Sequence, residues 1–188
     1  MLAANSLALK EWAVVVQSLA AGKQILLLRK GGLYERQGKF STEPTEFFFF
    51  PTYVHQMEQG VTTNVEGELQ AVLAARPPED QLLIRHYASV AEVRYLDDRE
   101  QLSALEGLHC WTPDTVAKRF AYKTPGLHLF LLRVYQLPQT YTLPILNRYA
   151  GCRSWVELGE SLSTAGAVPV ISEDSFTQQV RHLKNALA

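Results

Sequence analysis

AGKQILLLRKGG, residues 21–32, defines one strand of a core sheet and the rim beyond it. A turn at Gly22 launches an apolar strand, Gln24 to Leu28, which runs into Arg29 and Lys30 and then a double glycine. This order of buried strand, charge and flexible backbone places two cations at the edge of a sheet. Gly31 and Gly32 there let the chain turn or come close to a ligand. The pattern marks a recognition edge and carries no catalytic signature.

Before this strand, Ser6 is placed to cap a helix whose apolar positions Trp12, Val15, Val16 and Leu19 recur at helical spacing. After it, residues 34–46 are too rich in Gly, Lys and Glu for a core element and read as a loop or short edge strand. Glu46 to Phe50 forms an aromatic strand ended by Pro51, and residues 52–59 read as a helix. Residues 60–78 read as an inserted loop or helical arm, helical over 66–75 and closed by Arg76-Pro77-Pro78. Leu82 to Leu96 predicts one long strand or two joined by a bend, and Asp97 and Asp98 cap a short helix over 99–105. Thr112 followed by Pro113 opens another helix. Leu127 to Leu137 is a strong strand, with a second over 140–143 across Pro138, and a short strand over 155–158. Ser172 with Glu173 and Asp174 begins a terminal helix with Phe176, Val180 and Leu183 inward. About six strands with short helices between them, and no phosphate loop, argue against a doubly wound sheet. They predict an α+β fold, a small mixed and partly closed barrel with helices at its openings.

With 188 residues and 47% hydrophobic content, the chain can bury one sizeable core, and a single domain over 1–188 is expected. A net charge of -1 and a pI near 6.5 exclude a global positive field that would draw the chain to nucleic acid or an anionic membrane, so any such contact must be local. Two distant cysteines, Cys110 and Cys152, and a start without a signal-peptide pattern predict a reduced, cytoplasmic protein. No apolar run approaches the roughly 20 residues of a membrane span.

Several residues are candidates for chemistry. Arg29 and Lys30 suit phosphate contact, with the Gly31 and Gly32 amides as further donors; the alternative is a solvated strand end. Tyr53, His55 and Gln56 carry polar tips at an expected helix start, where anions are favoured, or else form ordinary surface. Arg119 has no acid four residues away in either direction and is available to a phosphate or to an acid elsewhere in the fold, whereas Trp111 is either a core anchor or a stacking ring. His86, His109, Cys110 and His128 lack the paired spacing of a metal site, and no nucleophile elbow is present, so neither a metal nor a cofactor is expected. Glu43, Glu46, Asp97 and Asp98 define no nuclease cluster.

The pieces LKEWAVVV, LLLRKGG, FFFFPTYVHQ and HCWTPDTVAKRFAYKTPGLHLFLLRVYQLP together resemble an uncharacterised bacterial family, the domain of unknown function 1802. That resemblance implies no established activity. Some members lie beside restriction-type nuclease domains, which implies a nucleic-acid context and a nuclease partner. A more distant likeness, to the ASCH and EVE members of the PUA-like superfamily, rests on Gly22-Lys23, Arg29, Val90-Ala91-Glu92-Val93, Pro125-Gly126 through Leu137-Pro138, and Pro169-Val170-Ile171-Ser172. It implies a pseudobarrel whose cleft holds RNA or a modified base. Some ASCH-type proteins are amidohydrolases that use a Lys and a Thr near the family's Arg. Here Leu26, Leu27 and Leu28 follow Gln24, no hydroxyl is present, and the activity is not carried over.

The leading expectation is a non-enzymatic module that binds RNA or a modified nucleobase through Arg29, Lys30, Gly31, Tyr53, His55, Trp111 and Arg119. The alternatives are a small hydrolase acting on a nucleotide-like substrate, with His55 or Glu46 as general base, and a protein-interaction factor that uses the arm.

Overall fold

A computed structural model describes residues 1–31, 45–53, 60–151 and 153–188, apart from the side chains of 63–66. Its frame is a mixed sheet. The strands are β1 (Ala4–Trp12), β2 (Leu26–Arg29), β3 (Glu46–Thr52), β4 (Gln81–Leu96), β5 (Leu127–Pro144), β6 (Trp155–Ser163) and β7 (Val168–Pro169). Between and after them lie the helices α1 (Ala13–Ala20), α2 (Thr63–Ala74), α3 (Arg99–Ala104), α4 (Pro113–Ala121) and α5 (Glu173–Ala186), with a 3₁₀ turn over Asn147–Tyr149. The class is α+β. The sheet runs β2-β5-β4-β3-β1-β6, with β7 paired to β5 where β2 has ended. Among the described residues only β1 and β3 pair in parallel, and the two ends of the sheet do not join.

The run Phe47 to Phe50 shows how two cores share this sheet. All four rings are buried, and because side chains alternate across a strand they divide between its faces. Phe47 and Phe49 enter the larger core, with Leu9, the β2 leucines, Val14 to Val16 of α1, Phe120 of α4 and Leu183 of α5. Phe48 and Phe50 enter the second core, with Ile84, Tyr87, Leu143, Tyr149 and Leu158. That second core needs the long strands β4 and β5 to bend over it. Their register shifts between Ile84 and His86, and again between Val90 and Glu92, as bulges do where a strand must curve.

Several expectations from sequence are corrected. The helix expected from Ser6 begins only at Ala13. Residues 4–12 form β1, inserted between β3 and β6, and Ser6 donates to Glu157 of β6 (2.8 Å) where a cap was expected. The helical periodicity of Val15, Val16 and Leu19 belongs to α1, whereas Trp12 ends β1, because tertiary pairing sets the conformation before the helix. Pro51 does not end its strand: β3 is paired to β4 only as far as Phe48, so a residue without an N–H is tolerated beyond that point. Pro138 does not divide β5, because it falls in the register shift opposite Arg85. The strand read over 155–158 continues to Ser163. The expected caps form: Asp98 accepts from the Glu100 amide (2.9 Å), Thr112 from Thr115 (3.3 Å) and Ser172 from Ser175 (3.2 Å). Helix α2, in the expected arm, packs on α1 and buries Leu69 in the larger core. Of the loop expected over 34–46 and the helix expected over 52–59, residues 34–44 and 54–59 lie outside the described residues, while Glu46 and Thr52 are the two ends of β3.

Candidate nucleic-acid interface

At the C-terminal ends of β1 and β2, an open cleft of about 290 Å³ is walled by Lys10, Glu11, Trp12, Arg29, Lys30 and Arg119, with Gly31 and Thr52 at its margin. Each cation is positioned by a different neighbour. Arg29 ends β2 and donates to the Glu11 carboxylate (Nη1 to Oε2, 2.7 Å), which also accepts from the Trp12 amide (2.9 Å). Both side chains of this ion pair are largely buried. Arg119, on the inner side of α4, places its guanidinium between two indoles, 4.5 Å from the Trp12 ring and 5.0 Å from the Trp111 ring, and donates to the Leu28 carbonyl (3.4 Å). Burial pushes Arg119 below the ordinary arginine value; the Glu11 charge opposes that shift and the Arg29 charge adds to it. It stays cationic all the same, because arginine does not deprotonate in proteins.

Lys30 donates to the carbonyls of Phe120 (2.8 Å), Thr124 and Gly126 (3.0 Å), so it caps α4 and ties β2 to the turn before β5. Lys10 donates to the carbonyls of Tyr149 and Gly151. These carbonyls hold the ammonium groups in place without cancelling their charge. Along the wall four cations stand against one carboxylate, an excess of three positive charges in a chain whose net charge is -1.

The sequence candidates are therefore distributed. Arg29, Lys30, Gly31 and Arg119 share the cleft. Trp111 is 1% exposed, and its nearer face is covered by Arg119; it is a core anchor that positions the guanidinium and has no face open for a base. Tyr53 lies in a neighbouring cleft, and His55 falls outside the described residues. Glu46, weighed as a general base, is also elsewhere. Burial alone would raise its pKa, but the Leu2 amide (2.7 Å), the Tyr87 hydroxyl (2.8 Å) and the N-terminal ammonium (3.3 Å) hold it below the ordinary carboxylate value. Among the described residues no three His, Cys, Asp or Glu side chains gather to hold a metal. Also among them, no helix is long and apolar enough to cross a membrane.

The sequence reading missed Lys10, Glu11 and Trp12 as wall residues, because that segment was assigned to a helix. No local signal marks them as a strand end: the preceding Asn5-Ser6-Leu7-Ala8-Leu9 does not alternate polar with apolar residues, so period two is absent there.

A family model for a domain of unknown function, DUF1802, matches residues 8–182, nearly the whole described frame and all of the cleft wall. The chain belongs to the DUF1802 family. A search of curated proteins finds no match. Among solved structures, this DUF1802 protein is similar to an ASCH protein from Zymomonas mobilis, with 12% identity, a TM-score of 0.45, and coverage of 93% of this chain and 92% of that one. Two mutants of that protein match comparably: a serine-to-alanine mutant at 13% identity and TM-score 0.44, covering 94% of each chain, and a tyrosine-to-phenylalanine mutant at 13% and 0.43, covering 93% of this chain and 96% of that one.

Proposed function

We propose that this protein is a recognition module that binds RNA, or a modified nucleobase within it, in the cleft walled by Arg29, Lys30 and Arg119. The observation that carries the reading is the local charge: three excess positive charges line one cleft of a slightly acidic chain. At physiological ionic strength charges more than about 8 Å apart are largely screened, so a ligand entering the cleft responds to that cluster and hardly at all to the net charge. The guanidinium groups suit planar, two-pronged contacts with phosphate, and Gly31 brings backbone close by without a side chain in the way.

The test is a titration of the purified protein with short RNA and DNA oligonucleotides, with and without modified bases, at two salt concentrations. Contact with two or three phosphates of a single strand predicts a slope of log affinity against log salt of about -1.4 to -2. Arg29→Ala should lower affinity and flatten this slope, with a thermal melt confirming that the variant is folded. Absence of binding to every oligonucleotide, or binding indifferent to salt, overturns the reading.

A further inference from the structure

The charged cleft does not end at Lys10. A second cleft of about 280 Å³ shares Lys10 and Thr52 as walls and continues past Phe50, Tyr53, Arg76 and Ile145. Alternation along β1 sends Lys10 and Glu11 to opposite faces of the sheet. Glu11 faces Arg29, whereas the Lys10 ammonium lies 5.6 Å from the Phe50 ring, on the side of the second core. The two clefts therefore meet where the paired strands β1 and β3 end, one opening on each face. Each alone falls just short of the roughly 300 Å³ at which ligand pockets begin, and joined they are well inside that range.

The second cleft differs in chemistry from the first. Of the aromatic residues that line it, Phe50 and Tyr149 are buried and Tyr53 is half-buried, with the Arg76 guanidinium over the Tyr53 ring, 5.7 Å from its centre. Arg76 is held by Glu79 (3.2 Å) and followed by Pro77 and Pro78, whose fixed backbone stiffens that wall. Ile145, 41% exposed, supplies apolar surface. An aromatic ring beside a guanidinium and an apolar wall suits the face of a base, whereas the cations of the first cleft suit its phosphates.

Resting on the recognition reading above, we propose that the ligand is a single-stranded oligonucleotide bent around the end of the β1–β3 pair. One nucleotide is held by Arg29, Lys30 and Arg119, the phosphate that links it to the next lies beside Lys10, and the next base stacks at Tyr53. The bend selects against a duplex, because double-stranded DNA stays nearly straight over about 150 base pairs, while a single strand turns between successive nucleotides. It also selects against a free nucleobase, which would leave half of the groove empty.

The experiment compares uridine 5′-monophosphate with two- and four-residue oligouridylates, their DNA counterparts and a short hairpin duplex, by calorimetry on the full chain. The expected result is an affinity gain of about tenfold between one nucleotide and two, in line with the stacking of a single base. Tyr53→Leu should abolish the gain while mononucleotide binding in the first cleft persists. Tyr53→Phe should retain the gain, and Arg76→Ala, a change at an exposed residue, should reduce it. Equal binding of one and two nucleotides, an equal loss for both in Tyr53→Leu, or tighter binding of the duplex overturns the continuous groove but leaves the recognition reading standing. If no oligonucleotide of any length binds, both fall, and the second cleft is left to a peptide or a small molecule.

Discussion

Lowering the pH from 7.5 to 5 should destabilise this protein through His109. The imidazole is 7% exposed, packs 5.4 Å from the Trp111 ring, and has no partner at hydrogen-bonding geometry for either ring nitrogen. Burial pushes its pKa down from 6.5 to about 4, reinforced by the Arg119 charge and opposed by the nearby backbone of His109 and Trp111. The unfolded chain thus takes up a proton near 6.5 that the folded chain refuses until about 4, so stability is complete above 6.5 and is lost as the pH falls between those values. At 1.36 kcal/mol per pH decade the ceiling is about 3 kcal/mol, of which about 2 kcal/mol is lost by pH 5. His86 is also depressed by burial and adds a loss of the same sign. The stabilisation from Glu46 is complete above the ordinary carboxylate value of 4.5 and is lost as the pH falls through it, so a drop to pH 5 reports mainly on the histidines. Urea unfolding at pH 7.5 and pH 5 should show the loss in the wild type and most of it removed in His109→Met, which fills the site with a flexible apolar side chain. An unchanged pH-dependent loss in His109→Met would refute the argument.

Three further outcomes follow from the same packing. In a Cys152→Ser background, Cys110, buried and with its thiol pushed up to about 12 by burial, should resist a thiol reagent at pH 8 in the folded protein and react fully in urea. Glu11→Ala should destabilise by about 3 kcal/mol or more by leaving Arg29 buried without its carboxylate; urea melts of the double variant with Arg29→Met should recover part of that loss, and additive losses would contradict a coupled pair. Gly126→Ala should cost about 1–3 kcal/mol, because its φ of +131° strains any side chain and a Cβ would lie 2.0 Å from the Tyr95 hydroxyl; a thermal melt unchanged from wild type would show that the turn relaxes freely.

What was legible in the sequence was local. Asp98, Thr112 and Ser172 cap their helices through bonds that span two or three residues, so the sequence holds the whole interaction. Arg29 and Lys30 were readable at a sheet rim because a short apolar run followed by charge has few other solutions. The early helix failed for the opposite reason. Residues 4–12 become a strand through pairing with Phe48 to Thr52 on one side and residues 155–163 on the other, partners about 40 and 150 residues away that no local propensity registers. With that segment misassigned, Glu11 could not be recognised as the partner of Arg29, nor Trp12 as half of the stack around Arg119. Trp111 illustrates a further limit: a tryptophan before a helix reads equally as core or as stacking ring, and its burial together with the position of Arg119 over its face decides.

The cleft derives its charge from structural duties. Lys30 is needed to cap the carbonyls after α4, and Lys10 to hold those of Tyr149 and Gly151, so both would be retained for stability if nothing ever bound. Neutral carbonyls fix an ammonium in place but leave its field outside. Arg119, held between two indoles, is likewise fixed by rings that attract a cation without neutralising it. Glu11 alone compensates, and it is engaged with Arg29. A preorganised positive surface therefore arises from four separate solutions to packing problems, and its rigidity is what suits it to a ligand. Little side-chain entropy remains to be lost when an anion arrives, so affinity can be gained without new ordering. On this argument Arg119→Lys should weaken oligonucleotide binding even though the charge is kept, because an ammonium on a flexible stem does not replace a planar, multi-donor guanidinium held over the Trp12 and Trp111 rings. Equal affinity for the two proteins, measured by the same salt-dependent titration, would show that charge alone suffices and that the indole stack serves the core only.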